Sequence, residues 1–373
     1  MYPVILNITD RWSNVYTPPE DTSARNKIQS LRTIDIITIC VQFLFIIIGG
    51  PANIRVVSTI LRHKLQYKSR YFKLVLHLAI ADTIVCLLSP PIEIGWRLTY
   101  FWKAGDFGCR VFQFIRVFGL YASSMVLIVI SIDRYYAVSQ PFIHPQTGSR
   151  INKMLVAAWI LATLLSIPQM IIYRLVEHDL VPGFFQCLST GFFTHDLDQK
   201  HYLLLHILFM YGLPLCVFVT CYAIITAKVI KQQAFWNRIR PDVSASGTST
   251  EGQSNTEKTS EVVISSSQTI SRMRSRSVSA TMILKRPLVI IITFFVCWTP
   301  HVIVTLWSYV DYESYMHRNE TISSILYLFA VSNTMINPFI YGQFTNGSQR
   351  LTTGIFDFFK SKCLERERER ERV

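Results

Sequence analysis

Charge is scarce in this sequence. Of its 373 residues only 16% are Asp, Glu, Lys or Arg, where a soluble domain carries about 25%. The deficit falls in long apolar stretches, roughly 34–60, 72–97, 107–133, 153–173, 202–228, 283–309 and 322–344. Each reaches the length of about 20 residues that a helix needs to cross a bilayer. This excludes a soluble domain and predicts an all-α membrane protein, a seven-transmembrane helix bundle. A cleavable leader is lacking too. The first apolar run begins only near Ile34, so the first helix is expected to serve as an uncleaved signal anchor. Internal repeats and several midplane charges, the marks of a transporter or channel, are also missing.

What charge there is lies unevenly. The net charge of +13 gathers in alternate loops. The first loop holds Arg62, Lys64, Lys68, Arg70 and Lys73, the third Arg150 and Lys153, and the fifth Lys231, Arg238 and Arg240. The other loops hold little beyond Lys103, Lys200 and Arg318. Basic loops stay in the cytoplasm, so residues 1–33 form an extracellular tail, 34–344 the bundle, and 345–373 a cytoplasmic end. The positive charge therefore reads as topology and calls for no nucleic-acid partner.

That orientation sorts the cysteines and the sequons. Cys40, Cys86, Cys216, Cys221 and Cys297 fall inside spans and read as small buried hydrophobes. Cys109 and Cys187 face an oxidising compartment, and a disulfide between them is the best pairing available. Asn7 and Asn319 head glycosylation sequons on the outer side, whereas Asn346 lies inside and is expected to stay unmodified.

From Lys231 to about Met282 the chain turns rich in Ser and Thr and poor in aromatics. It reads as a disordered cytoplasmic loop. Ser275, Ser277 and Ser279 stand beside arginines, a setting for kinases. After the last span, Leu351, Ile355, Phe358 and Phe359 recur at helical spacing with Arg350, Lys360 and Lys362. This is the pattern of a short amphipathic helix on the membrane lipid, with Cys363 beyond it as a palmitoylation candidate.

Charges inside spans are costly and usually mark function. Away from the helix ends stand Asp82, Glu93 and Arg116, with Arg55 nearer an inner edge. At the inner end of the third span Asp133, Arg134 and Tyr135 follow a run without a charge. An arginine there can hold its neighbouring acid in one state and other groups in another, which is what a switch requires. The plainer reading is an interface anchor.

These residues occur in company. Asn53 stands in the first span, Leu78–Asp82 (LAIAD) in the second, and WKAGDFGC ends at Cys109. Asp133–Tyr135 (DRY) follows in the third, Trp159 in the fourth, and Pro214 with Tyr222 in the fifth. Phe294–Pro300 (FFVCWTP) and Asn337–Tyr341 (NPFIY) mark the sixth and seventh. In order and on separate spans, these motifs resemble the rhodopsin-like G protein-coupled receptors. Pro91–Trp96 (PIEIGW), WKAGD and CWTPH further resemble the adipokinetic hormone, corazonin and gonadotropin-releasing hormone receptor group, of invertebrate type. Two departures stand out. Asp82 and Asn337 keep the acid and amide that mammalian gonadotropin-releasing hormone receptors exchange, and His301 replaces a frequent Tyr.

The resemblance implies a receptor and no enzyme. Its ligand is a small amidated neuropeptide, with a vasopressin/oxytocin-like peptide as the alternative. Its partner is a heterotrimeric G protein, Gq with calcium first and Gs with cAMP second, and kinases and arrestin act on the Ser/Thr-rich loop. It implies the plasma membrane, and no cofactor beyond an allosteric sodium ion held by Asp82, Ser123, Asn333 and Asn337. A water-filled polar network without an ion is the alternative there. Phe294, Trp298 and Pro300 would relay binding to the sixth span, and Pro338 would kink the seventh. Tyr222 and Tyr341 would meet near Arg134 in the active state. A light receptor needs a lysine in the seventh span, and 322–344 has none. An amine receptor would carry an acid where Arg116 stands.

Helical rise sets Glu93 about three turns outside Asp82, and Arg116 about two turns inside Cys109. Both reach similar depth in an outward cavity walled by Trp96, Tyr121, Trp307 and Tyr309, with His301 among the ligand-site residues. Two roles stay open for the pair: contact with peptide carbonyls, or an ion pair bracing two helices.

Overall fold

The computed structural model describes residues 33–62, 69–99, 101–139, 147–178, 181–189, 192–193, 196–245, 287–307, 310 and 320–343. Among them are 7 helices long and apolar enough to cross a membrane. Helix α1 is Thr33–Arg62, α2 Arg70–Thr99, and α3 Gly105–Ser139. Helix α4 is Thr147–Ile172. Helix α5 runs through Asp196–Ile207, a π turn at Leu208–Gly212, and Leu213–Ala245. Helix α6 is Pro287–Trp307, and α7 comprises Glu320–Val331 and Asn333–Gln343, interrupted at Ser332. Asn7, Asn319, Asn346, Cys363, Tyr309, the serines at 275, 277 and 279 and the segment after Gln343 lie outside the described residues.

Helix α3 is the most buried span and forms the centre of the bundle. Around it packs one apolar core containing Leu78, Ala81, Val117, Ala122, Val126, Ile290 and Phe294. Lipid is as apolar as this core, so close packing and buried polar bonds hold the helices together. Small residues permit the approach. A Cβ on Gly119 would lie 2.7 Å from Val85, and one on Gly50 2.2 Å from Leu87. Val156, Ile160, Leu164 and Ile171 of α4 are exposed, as expected for a face that meets acyl chains.

Prolines inside the helices leave carbonyls without their usual donor four residues on, and at two of them a side chain fills the gap. Pro214 removes the N–H due to Met210, whose carbonyl accepts from Ser124 Oγ at 2.8 Å. Pro338 does the same to Thr334, whose carbonyl accepts from Asn53 Nδ2 at 3.0 Å. The first bond ties α5 to α3, and the second ties α7 to α1.

Two helices outrun their apolar stretches. Helix α3 continues past Asp133 to Ser139, so that triplet sits before the helix end. Helix α5 continues to Ala245, into the stretch whose composition reads as a disordered loop. Once nucleated, a helix adds a bond per residue through good formers such as Lys231, Gln232, Gln233 and Ala234 whether or not lipid surrounds them.

Strands β1 (Arg174–His178) and β2 (Val181–Leu188) form an antiparallel hairpin pairing Leu175 with Cys187. It is fastened to the bundle at several points. Cys187 is disulfide-bonded to Cys109 at the head of α3. Trp96 Nε1 donates to Gln186 Oε1 at 2.8 Å, and Trp102 N to Phe185 O at 2.9 Å. Asp106 Oδ1 accepts from Leu175 N at 2.8 Å.

Candidate functional site

Beneath the hairpin the sequence-predicted residues separate into layers. Trp96 lies in a buried apolar cluster with Trp102, Phe112 and the disulfide, so its ring supports the hairpin. Trp307 is half exposed at the outer end of α6. Glu93 and Arg116 meet as the depth argument requires: Arg116 Nη1 lies 3.7 Å from Glu93 Oε2, with both side chains buried. They belong to a longer chain of charges. Arg97 Nε donates to Glu93 Oε1 at 3.0 Å, and Arg97 Nη1 donates to Asp35 Oδ1 at 2.7 Å. Asp35, Arg97, Glu93 and Arg116 thus alternate in sign from α1 through α2 to α3. Arg97 stands one helical turn from Glu93, a spacing legible in sequence. Asp35 gave no such signal, because its partner is 62 residues away.

Deeper, a small cavity lies between α3, α5, α6 and α7, lined by Leu120, His206, Tyr211, Trp298, His301 and Tyr327 among others. Of the sequence-predicted ligand residues, His301 reaches its wall. Tyr121 instead bonds His206 Nδ1 through its hydroxyl at 2.7 Å, presenting that imidazole from α5. Tyr327 joins cavity to charge chain: its ring lies 5.5 Å from the His301 ring and 5.5 Å from the Arg116 guanidinium. His206 and Tyr327 carried no sequence signal beyond being polar in an apolar span. Trp298 forms the floor, 6.0 Å from Phe294 and 6.0 Å from His301 between ring centroids.

Among the described residues, Arg116 Nη1, Gln113 Oε1 and Trp298 Nε1 are buried without a hydrogen-bond partner. Buried polar atoms are normally satisfied. Of the three residues Trp298 lines the cavity, and Arg116 stands beside Tyr327, which also lines it.

Below the cavity sits a polar knot. Asp82 Oδ1 accepts from Ser123 Oγ at 2.9 Å, and Oδ2 from Asn337 Nδ2 at 2.8 Å. The amide oxygens of Asn333 and Asn337 are buried and lack hydrogen-bond partners among the described residues. At the inner end, Arg134 Nη2 donates to Asp133 Oδ2, with both side chains buried. Its guanidinium also lies 5.9 Å from the Tyr71 ring centroid. Arg134 Nε and the Tyr222 hydroxyl are buried without hydrogen-bond partners among the described residues. Pro214 is buried and Pro300 half-buried, Tyr135 stacks edge-on with Tyr136, and for Tyr341 only the backbone is described.

A seven-helix bundle with a cavity and a hairpin toward one end and a bonded arginine at the other has the layout of a transmembrane receptor. The profile of the family described as 7 transmembrane receptor (rhodopsin family) matches residues 52–341. The gonadotropin-releasing hormone II receptor of Clarias gariepinus is 26% identical over 330 residues, 88% of this chain and 78% of that receptor. The gonadotropin-releasing hormone II receptor of Callithrix jacchus is 30% identical over 280 residues, 74% and 67% of the two chains. The gonadotropin-releasing hormone receptor of Octopus vulgaris is 29% identical over 311 residues, 82% and 70%. The chain belongs to the rhodopsin family of G protein-coupled receptors, in the gonadotropin-releasing hormone and adipokinetic hormone receptor group. It is a multi-pass membrane protein and not an enzyme.

Proposed function

We propose that this receptor sits in the plasma membrane, amino terminus outside, and binds a short amidated neuropeptide of the adipokinetic hormone/gonadotropin-releasing hormone-like group. The observation that carries this reading is the buried Arg116, whose Nη1 has no hydrogen-bond partner among the described residues and whose guanidinium lies 5.5 Å from the ring of the cavity-lining Tyr327. A guanidinium N–H placed there donates to peptide carbonyls, and the aromatic walls take uncharged side chains. Binding at Trp298 is relayed through Phe294 to α6, and the signal passes to a heterotrimeric G protein, with Gq and calcium release ahead of Gs and cAMP. Kinases and arrestin acting on the Ser/Thr-rich loop, glycans on Asn7 and Asn319, and a lipid on Cys363 complete the reading. The test is a calcium and cAMP readout in transfected cells against a panel of amidated neuropeptides. Response to an adipokinetic hormone- or gonadotropin-releasing hormone-like peptide is expected. Response only to a vasopressin/oxytocin-like peptide, or to none, overturns the assignment.

The knot at Asp82 fits an allosteric sodium ion. One buried carboxylate, a hydroxyl and two amide oxygens without partners among the described residues form a hard oxygen set suited to a small monovalent cation. Exchanging sodium for a large organic cation is expected to raise agonist affinity several-fold in the wild type and to leave Asp82→Asn unchanged. Competition binding reads this directly. The same salt response in both receptors removes the ion from the account.

A further inference from the structure

The Glu93 carboxylate has two oxygens and two claimants. Arg97 holds Oε1 at 3.0 Å, while Arg116 stands 3.7 Å from Oε2, outside hydrogen-bond range. Arg97 is itself held from the far side by Asp35, at 2.7 Å. Asp35 and Glu93 are 3% and 4% exposed, so these charges interact with little screening by water. Guanidinium and carboxylate in such a place close into a two-pronged pair wherever geometry allows. Here that closure is incomplete, and Arg116 Nη1 lacks a hydrogen-bond partner among the described residues.

We propose that Arg97, anchored by Asp35, is a positioning residue that keeps Arg116 available to the ligand by holding the Glu93 carboxylate away from it. This rests on the reading of Arg116 as the ligand donor. Without Arg97, Glu93 has Arg116 as its one remaining cation in this chain of charges. It turns both oxygens to that guanidinium and occupies Nη1. The arrangement also sets the class of ligand group. Asp35, Arg97, Glu93 and Arg116 sum to zero, and Glu93 stands beside Arg116, so a carboxylate arriving at Nη1 meets a like charge. A neutral carbonyl or lactam oxygen does not.

The prediction is one of epistasis. Arg97→Gln is expected to lower the potency of the panel's most active amidated peptide at least tenfold in a calcium assay at matched surface expression. Adding Glu93→Gln, which removes the competing carboxylate, is expected to recover most of that loss. Arg97→Lys, which keeps a cation near Glu93 but has one nitrogen for two carboxylates, should fall between wild type and Arg97→Gln. A brace that merely holds helices together gives the opposite order, with the double variant no better than the single. That result, or wild-type potency in Arg97→Gln, overturns the proposal. If Arg97→Gln fails to reach the surface, Asp35→Asn with Arg97→Gln strands no acid on α1 and carries the same comparison with and without Glu93→Gln. Undiminished potency in Arg116→Met, or silence of the wild type to every peptide, marks failure of the underlying ligand reading and brings this inference down with it. Loss in Arg116→Met without recovery in the double variant sinks this inference alone.

Discussion

A receptor with both buried partners neutralised, Glu93→Gln with Arg116→Met, is expected to stay about 100-fold less potent toward its peptide than wild type, a gap of about 2.7 kcal/mol. Arg116→Met alone weakens activation whichever role the pair plays, because it removes the ligand donor or leaves the buried Glu93 carboxylate one partner short. The double change separates the roles. Replacing both halves of a buried ion pair is often neutral or stabilising, and Arg97 keeps Asp35 as its counter-ion at 2.7 Å. A pair that only braces α2 against α3 therefore recovers. Methionine offers no N–H, so a ligand contact stays lost. Concentration–response curves at equal surface expression decide it, and potency within about threefold of wild type would sink the contact reading. Exchanging the two charges does not separate the roles. An arginine at position 93 would face Arg97, whose Nε lies 3.0 Å from the present carboxylate.

Asp133→Asn is expected to raise signalling in the absence of peptide by roughly fivefold to tenfold. The bond it weakens joins two buried charges at the inner end of α3, and a charge-assisted bond contributes about 1.5 kcal/mol or more. Losing that from one side of a two-state balance moves the ratio of states by about tenfold. Arg134→Ala is expected to keep peptide binding and lose the second-messenger response, because the group that changes partners is gone. Basal second-messenger levels and radioligand binding at equal receptor density measure the two effects. Unchanged basal signalling in Asp133→Asn would reduce the pair to an interface anchor.

The spans were legible because lipid imposes a pattern on a single chain. Each helix must satisfy its own backbone bonds and present apolar side chains over about 20 residues. Asp82, Glu93, Arg116, Asp133 and Arg134 stood out against that background for the same reason. The depth match of Glu93 and Arg116 followed from helical rise alone, and the structure sets them 3.7 Å apart. Cys109 and Cys187 could be paired from their shared compartment, and the disulfide joins them.

What one helix cannot encode is which face meets which neighbour. Asp35 carried no signal in the sequence, yet packing of α1 against α2 buries it beneath Arg97. Trp96 read as a cavity wall, and the hairpin lying over α2 makes it a pillar bonded to Gln186. His206 and Tyr327 were two polar residues among many apolar ones until α5 and α7 closed on Tyr121, His301 and Arg116. Hydropathy and helical rise are properties of one segment, so the sequence by itself determined the seven spans, their charged residues and their depths. Rotation about each helix axis and approach between helices depend on side chains hundreds of positions apart. Tertiary packing alone therefore decided that Glu93 is shared between two arginines, and that Arg116 Nη1 is left beside Tyr327 without a hydrogen-bond partner among the described residues.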